Sequence, residues 1–148
     1  MGVELMVKTL NIYIISPLNA KNQSLIEKNR KNALKYKKTV QEKLRAYNVR
    51  TFAPHAYLPI ELDDNIPEER EIATEFGQKV LNLCQAIAVF TPTELSRGMK
   101  AEILASPDKI IIAENECVKD KIKALFDESK TKCPQIHILD NIQKAACS

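Results

Sequence analysis

The sequence is poor in aromatic residues and contains no long apolar run. Phe, Trp and Tyr make up 5% of its 148 residues, whereas a groove that binds single-stranded nucleic acid usually has aromatic side chains among its basic ones. No apolar stretch approaches the roughly 20 residues that a membrane-spanning helix needs, and no signal-peptide pattern precedes the first strand-like run. We therefore expect a cytoplasmic protein that binds neither nucleic acid nor a membrane.

Metal and redox motifs are also missing. Cys84, Cys117, Cys133 and Cys147 lie at spacings that match neither a zinc site nor a redox pair. The acidic run "LDDNIPEERE" (62–71) is interrupted by a proline and has no histidine at ligand spacing. We therefore expect reduced thiols, no bound metal and no cofactor.

Positive charge is concentrated in one segment, although the net charge of the chain is only +3. Between Lys21 and Arg45, lysines are frequent and apolar residues recur at helical intervals. The pattern indicates an amphipathic helix whose basic face is solvated, and a partner for that face is not required.

Short apolar runs alternate with helical patterns along the rest of the chain, and we find no repeat or linker. Strands are predicted over 11–16, 49–54, 86–90, 109–113 and 135–139, and helices over 21–45, 67–84, 96–106 and 118–129. Strands that are apolar on both faces and alternate with helices imply a parallel sheet covered on both sides. We therefore predict a single α/β domain over residues 1–148, with a core of about 9–140 and a short tail. Its expected fold is a flavodoxin-like, Rossmann-like doubly wound sheet of about five strands.

This topology predicts where a ligand would bind. A doubly wound sheet opens a crevice where the strand order reverses, here between the carboxyl ends of the first and third strands. The loops that must line this crevice are "SPLNA" (16–20) and "TPTELSRG" (91–98). The first loop offers the Ser16 hydroxyl and the Asn19 amide, and Pro17 stiffens it.

The second loop leads into a predicted helix with an unusual beginning. Ser96 is a good N-cap residue, and Gly98 would let a ligand approach the first turn, where free N–H groups and the helix dipole favour an anion. Glu102 lies one turn further on and faces back toward the same end. Each residue also has an ordinary explanation, because serine caps are common and a lone glutamate on a helix is usually solvated. His55, just beyond the second strand, is either a polar loop residue or a contact to a ligand's base.

Four blocks of sequence together resemble a known superfamily. They are "IYIISPL", "FAPHAYLPIELDDNIPEERE", "LCQAIAVF" and "SRGMKAEI". The resemblance as a whole extends over about residues 11–113. The chain resembles the nucleoside 2-deoxyribosyltransferase-like superfamily, including the deoxynucleoside 5'-monophosphate N-glycosidases. It looks closest to a branch of small proteins common in phages and Gram-positive bacteria.

The resemblance implies roles for individual residues. Glu102 would be the nucleophile that ends the motif Ser96-Arg97-Gly98-Met99-Lys100-Ala101-Glu102, and Ser16 would help to hold the sugar or the 5'-phosphate. A motif that begins with serine resembles that of the nucleotide glycosidases. A serine hydroxyl can donate a hydrogen bond to a phosphate, whereas an aspartate would repel it. Arg97 would add positive charge. Related proteins form dimers or larger oligomers, so the resemblance also implies a homo-oligomer.

The sequence departs from the superfamily at one point. Catalytic members carry an aspartate in the helix before the third strand, and the matching region "TEFGQKVLNLCQA" (74–86) contains none. Glu75 is the nearest carboxylate, and Gln85 stands where an acid is often found. Two main hypotheses therefore remain open: an N-glycosidase or base transferase acting on a (deoxy)nucleoside 5'-monophosphate, and a non-catalytic protein that senses or sequesters a signalling nucleotide. A third alternative is a structural or protein-interaction role, in which the segment "APHAYLPIELDD" (53–64) pairs across a subunit boundary.

Overall fold

The computed structural model describes residues 9–18, 22–57, 62–63 and 65–142, and only the backbone of His55. Its strands are β1 (Leu10–Ile15), β2 (Val49–Phe52), β3 (Ala86–Val89), β4 (Ile110–Ala113) and β5 (Ile136–Ile138). Its helices are α1 (Gln23–Lys43), α2 (Pro67–Asn82), α3 (Arg97–Leu104) and α4 (Glu116–Glu128). A 3-10 turn, Pro54–Ala56, follows β2.

The five strands form one parallel sheet in the order β2-β1-β3-β4-β5. The chain winds first from β1 outward to β2 and then from β3 in the opposite direction, so the winding reverses between β1 and β3. The predicted doubly wound α/β fold is therefore confirmed. The predicted position of the crevice follows from the same strand order.

Each face of the sheet has its own apolar core, because successive strand residues point to opposite sides. On one face, Tyr13 and Ile15 of β1 pack with buried residues of α2, α3 and α4. On the other face, Ile12 and Ile14 pack with α1 and with Leu139, which begins a helical segment after β5. The predicted basic helix is thus α1. It covers the face of Ile12 and Ile14 together with that last segment.

Most element boundaries lie one or two residues from the predicted ones, and three of the differences are notable. The second strand ends at Phe52 rather than at residue 54, because the chain turns into the 3-10 helix that Pro54 begins. The helix predicted from residue 118 begins at Glu116, since Asn115 caps it by accepting a hydrogen bond from the Val118 N–H at 3.0 Å. Leu139, predicted to end the fifth strand, instead begins a helical segment that runs to residue 142.

Within the described residues, no helix combines the length and the apolarity needed to cross a bilayer. The three described cysteines, Cys84, Cys117 and Cys133, form no disulfide.

Candidate functional site

The two loops that sequence analysis selected begin side by side at the carboxyl edge of the sheet. The Phe90 N–H donates to the Ile15 carbonyl oxygen at 2.9 Å. This hydrogen bond holds the first residues after β1 and β3 next to each other. The first loop is tied to α1, because the Asn29 side-chain amide donates to the Leu18 carbonyl oxygen at 3.1 Å. Asn19, a predicted contact, lies outside the described residues.

The second loop is held by a lysine from a distant part of the chain. Lys121 of α4 donates from Nζ to the Thr93 carbonyl oxygen at 2.6 Å. The Thr91 hydroxyl donates to the same carbonyl oxygen at 3.0 Å, and Leu95 is buried behind the loop. These contacts fix the position from which α3 starts.

Helix α3 presents an open N-terminus at this edge. Ser96 caps the helix as predicted, with its Oγ accepting from the Met99 N–H at 3.2 Å, and its own O–H remains able to donate. The N–H groups of Arg97 and Gly98 belong to the first turn and have no acceptor within the helix. A methyl group built on Gly98 would meet nothing within 4 Å. The first turn therefore offers donors and free space to a ligand.

Glu102 is joined to the centre of the sheet by a short hydrogen bond. The Tyr13 hydroxyl donates to Glu102 Oε2 at 2.6 Å, across 89 positions of sequence. Tyr13 is 1% exposed, whereas Glu102 is half-buried on the flank of α3 between buried Met99 and Ile103. Glu102 thus points neither into open solvent nor into the core, and it is one helical turn from Gly98.

The environment of Tyr13 keeps its hydroxyl protonated. Burial raises the pKa of Tyr13 far above its ordinary value, and the negative charge of Glu102 and the hydrogen bond to it act in the same direction. A neutral phenol can only donate to an ionised carboxylate. Tyr13 therefore fixes the orientation of the Glu102 side chain at any physiological pH.

Helix α2 passes close to this pair through its only glycine. A methyl group built on Gly77 would lie 3.4 Å from the Tyr13 hydroxyl oxygen. At the point where α2 comes nearest the Tyr13–Glu102 pair, the helix therefore has no side chain at all. Glu75, the carboxylate considered as a replacement for the superfamily's aspartate, is exposed.

Ser16 stands at the end of β1 as a buried polar group. It is 2% exposed, and its Oγ has no hydrogen-bond partner among the described residues. A buried hydroxyl without a partner is unfavourable by about 1–3 kcal/mol. Such an atom marks a place where a ligand's polar group would be stabilising.

The remaining candidates lie around the same edge without being brought into contact. Pro17 is half-buried beside Ser16, and Arg97 is exposed at the first turn of α3. His55 lies in the 3-10 turn at the carboxyl end of β2, with its side chain outside the described part of the structure. Within that part, no group of three or more His, Cys, Asp and Glu residues could hold a metal ion.

Sequence reasoning missed three contributors: Tyr13, Gly77 and Lys121. A tyrosine in the apolar run "NIYIIS" was a usable signal, because a buried phenol needs a partner. A glycine in the middle of a helix was another, since it costs about 1 kcal/mol relative to alanine. Nothing in the sequence around Lys121 indicates that it reaches a loop 28 residues away.

These features define a doubly wound α/β domain whose switch-point edge carries a helix N-terminus, a buried serine and an oriented carboxylate. The chain belongs to the family described as Domain of unknown function (DUF7768), whose match covers residues 10–114. Neither the curated proteins nor the solved structures include a significant match to the chain. The matched range contains every candidate residue from Ser16 to Glu102, so the site lies within the family's own domain.

Proposed function

We propose that this protein is an N-glycosidase, or base transferase, that acts on a (deoxy)nucleoside 5'-monophosphate through Glu102. The observation that carries the proposal is the hydrogen bond from buried Tyr13 to Glu102. It joins a half-buried carboxylate to the first strand at the crevice where doubly wound folds bind ligands.

The chemistry suits a carboxylate held in this way. The Tyr13 hydroxyl orients the Glu102 side chain, and a Glu102 carboxylate oxygen attacks the anomeric carbon. The new C–O bond forms as the glycosidic C–N bond breaks, and the bonding electrons leave with the base, which takes up a proton. Water then attacks the anomeric carbon and releases the carboxylate and the sugar phosphate. A second base would take the place of water in a transferase.

The open end of α3 supports a phosphorylated substrate. The Arg97 and Gly98 N–H groups and the Ser96 hydroxyl are donors at the positive end of a helix dipole, which favours an anion. Arg97 adds a positive charge next to them. Ser16, with its unpartnered buried hydroxyl, would bind the sugar or phosphate from the opposite wall.

One observation favours a second function, the non-catalytic binding of a signalling nucleotide. The departing base needs a proton donor, and α2 presents Gly77 rather than an acid to the Tyr13–Glu102 pair. A binding protein needs the same crevice and the same phosphate-holding helix end, but it does not need that acid.

Base release distinguishes the two functions. Purified protein is incubated with a panel of ribo- and deoxyribonucleoside 5'-monophosphates, and free base is measured by chromatography. We expect release with at least one nucleotide and a loss of at least about a thousand-fold in Glu102→Gln, since removal of a nucleophile removes the chemical step. Glu128→Gln, which changes an exposed carboxylate in the last turn of α4, is the matched control and should keep wild-type activity.

Nucleotide binding to the wild type and to Glu102→Gln is measured as well, by calorimetry. If no nucleotide releases base while Glu102→Gln binds one as tightly as the wild type, the glycosidase proposal is wrong and the binding function stands. If calorimetry detects no binding of any nucleotide, both functions are wrong.

A further inference from the structure

Helix α2 and its C-cap residue, Leu83, carry an apolar stripe that faces away from the core. Ile72, Phe76 and Leu83 are 54%, 51% and 69% exposed. With about 100° of rotation per residue, these three positions fall within roughly 40° of one another on the helix surface. We name them the α2 stripe. Large exposed apolar groups in one line indicate an interaction surface rather than random surface residues.

The charges that border the α2 stripe are separated along the helix. Glu68 and Glu75 lie toward its N-terminal half and Lys79 toward its C-terminal half, all on the same side of the stripe and all exposed. Two copies of α2 that pack in parallel would place glutamates opposite glutamates. Two antiparallel copies bring Glu75 beside the partner's Lys79, so the surface is complementary to itself in that orientation.

The positions of the apolar residues suit the same arrangement. A twofold axis midway along the stripe, at the level of Gly77, sets Ile72 opposite the partner's Leu83. It also sets Phe76 level with the partner's Lys79, where a lysine over an aromatic ring is stabilising. A twofold interface repeats every contact, so each pair occurs twice.

We propose that the α2 stripe is the interface of a homodimer in which two copies of α2 pack antiparallel. The inference rests on the exposed surface of the fold and not on the proposed function.

The size of the surface predicts a weak dimer. Three apolar side chains at these exposures offer on the order of 300 Å² per copy. The aliphatic stems of the flanking glutamates and lysine raise the total for two copies to roughly 1,000 Å², the small end of specific interfaces. We therefore expect a dissociation constant in the micromolar range.

The pairing has a consequence for the site. The opposite side of α2 holds Gly77 against the Tyr13 hydroxyl. A partner packed on the α2 stripe would therefore fix the helix that borders the Tyr13–Glu102 pair.

Sedimentation equilibrium tests the proposal over protein concentrations from about 1 to about 300 µM. The perturbing variant is Phe76→Glu, and the matched control is Gln78→Glu, which adds the same charge two residues away. Gln78 is exposed and lies about 140° around the helix from the stripe. Because Phe76 is half-exposed, its replacement removes little of the core, and thermal unfolding followed by circular dichroism verifies that both variants are folded.

We expect a concentration-dependent dimer in the wild type and in Gln78→Glu. In Phe76→Glu the dissociation constant should rise by at least about thirty-fold, the size of a hot-spot loss. Lys79→Glu should also weaken the dimer, since it sets like charges opposite each other. A wild type that stays monomeric throughout, or a dimer that Phe76→Glu leaves intact, would overturn the proposal.

Discussion

The hydrogen bond between Tyr13 and Glu102 should give the protein a pH-dependent stability that one substitution removes. Tyr13→Phe deletes the hydroxyl and keeps the ring, which is 1% exposed. A hydrogen bond to a charged group contributes about 1.5–3 kcal/mol. At pH 8 we therefore expect Tyr13→Phe to have a free energy of unfolding about 2 kcal/mol below that of the wild type.

The difference should shrink in alkaline solution. The pKa of Tyr13 is raised in the folded protein, mainly by burial, above the ordinary tyrosine value of 10.0. Below pH 10 both the folded and the unfolded states keep the proton, and the stabilising contribution is complete. Above pH 10 only the unfolded state loses the proton, so the wild type loses about 1.4 kcal/mol per pH unit through this residue. Phenylalanine cannot ionise, so the variant does not have this slope.

Urea unfolding at pH 8, 10, 10.5 and 11 measures the effect as a difference between the two proteins. The contributions of titrating groups that do not interact with Tyr13, such as Tyr36, whose pKa burial also raises, cancel in that difference. Tyr47→Phe is the control, because Tyr47 is 44% exposed and its replacement should change the free energy of unfolding little at pH 8. A Tyr13→Phe protein as stable as the wild type at pH 8, or a difference that stays constant to pH 11, would refute this account of the pair.

Two further substitutions should change stability and ligand affinity in opposite directions. Gly98→Ala should raise the free energy of unfolding by up to about 1 kcal/mol, because alanine favours the helix and its methyl group has free space. The same methyl group would obstruct a ligand at the first turn, so nucleotide affinity measured by calorimetry should fall at least about ten-fold. Unchanged affinity would mean that the phosphate does not bind at this helix end. Ser16→Ala should leave stability unchanged or raise it by about 1 kcal/mol, since it deletes an unpartnered buried hydroxyl. Its nucleotide affinity should nevertheless fall, and a clear loss of stability instead would show that Ser16 has a structural partner.

The sheet could be predicted from sequence because its signals are local. Each strand is a short apolar run bounded by turn residues, and strict alternation with helices leaves few permitted topologies. The same holds for the cap of α3, since Ser96 and the residues after it are adjacent in the chain. Predicted ends were wrong where capping decides them, as at Asn115, which starts α4 two residues earlier than expected.

The centre of the candidate site could not be predicted in the same way. The Tyr13–Glu102 contact joins residues 89 positions apart, and it depends on which face of β1 receives the odd-numbered side chains. The Lys121 contact depends on how α4 packs beside the loop that begins α3. Pattern reasoning placed Glu102 on the helix that follows the third strand, but its partner required the register of the strands and the packing of the helices.

The two described glycines, Gly77 and Gly98, differ in what surrounds them. Each lies within a helix, where glycine costs about 1 kcal/mol relative to alanine; Gly98 is on the helix that carries Glu102, and Gly77 is on the helix that packs against Tyr13. Gly77 leaves room for the Tyr13 hydroxyl at 3.4 Å, whereas Gly98 leaves space that no described protein atom within 4 Å fills. Packing therefore accounts for Gly77 but not for Gly98. A residue that weakens its helix without a packing reason is expected at a functional site, and beside the adjacent N–H donors we expect an anionic group of the proposed ligand.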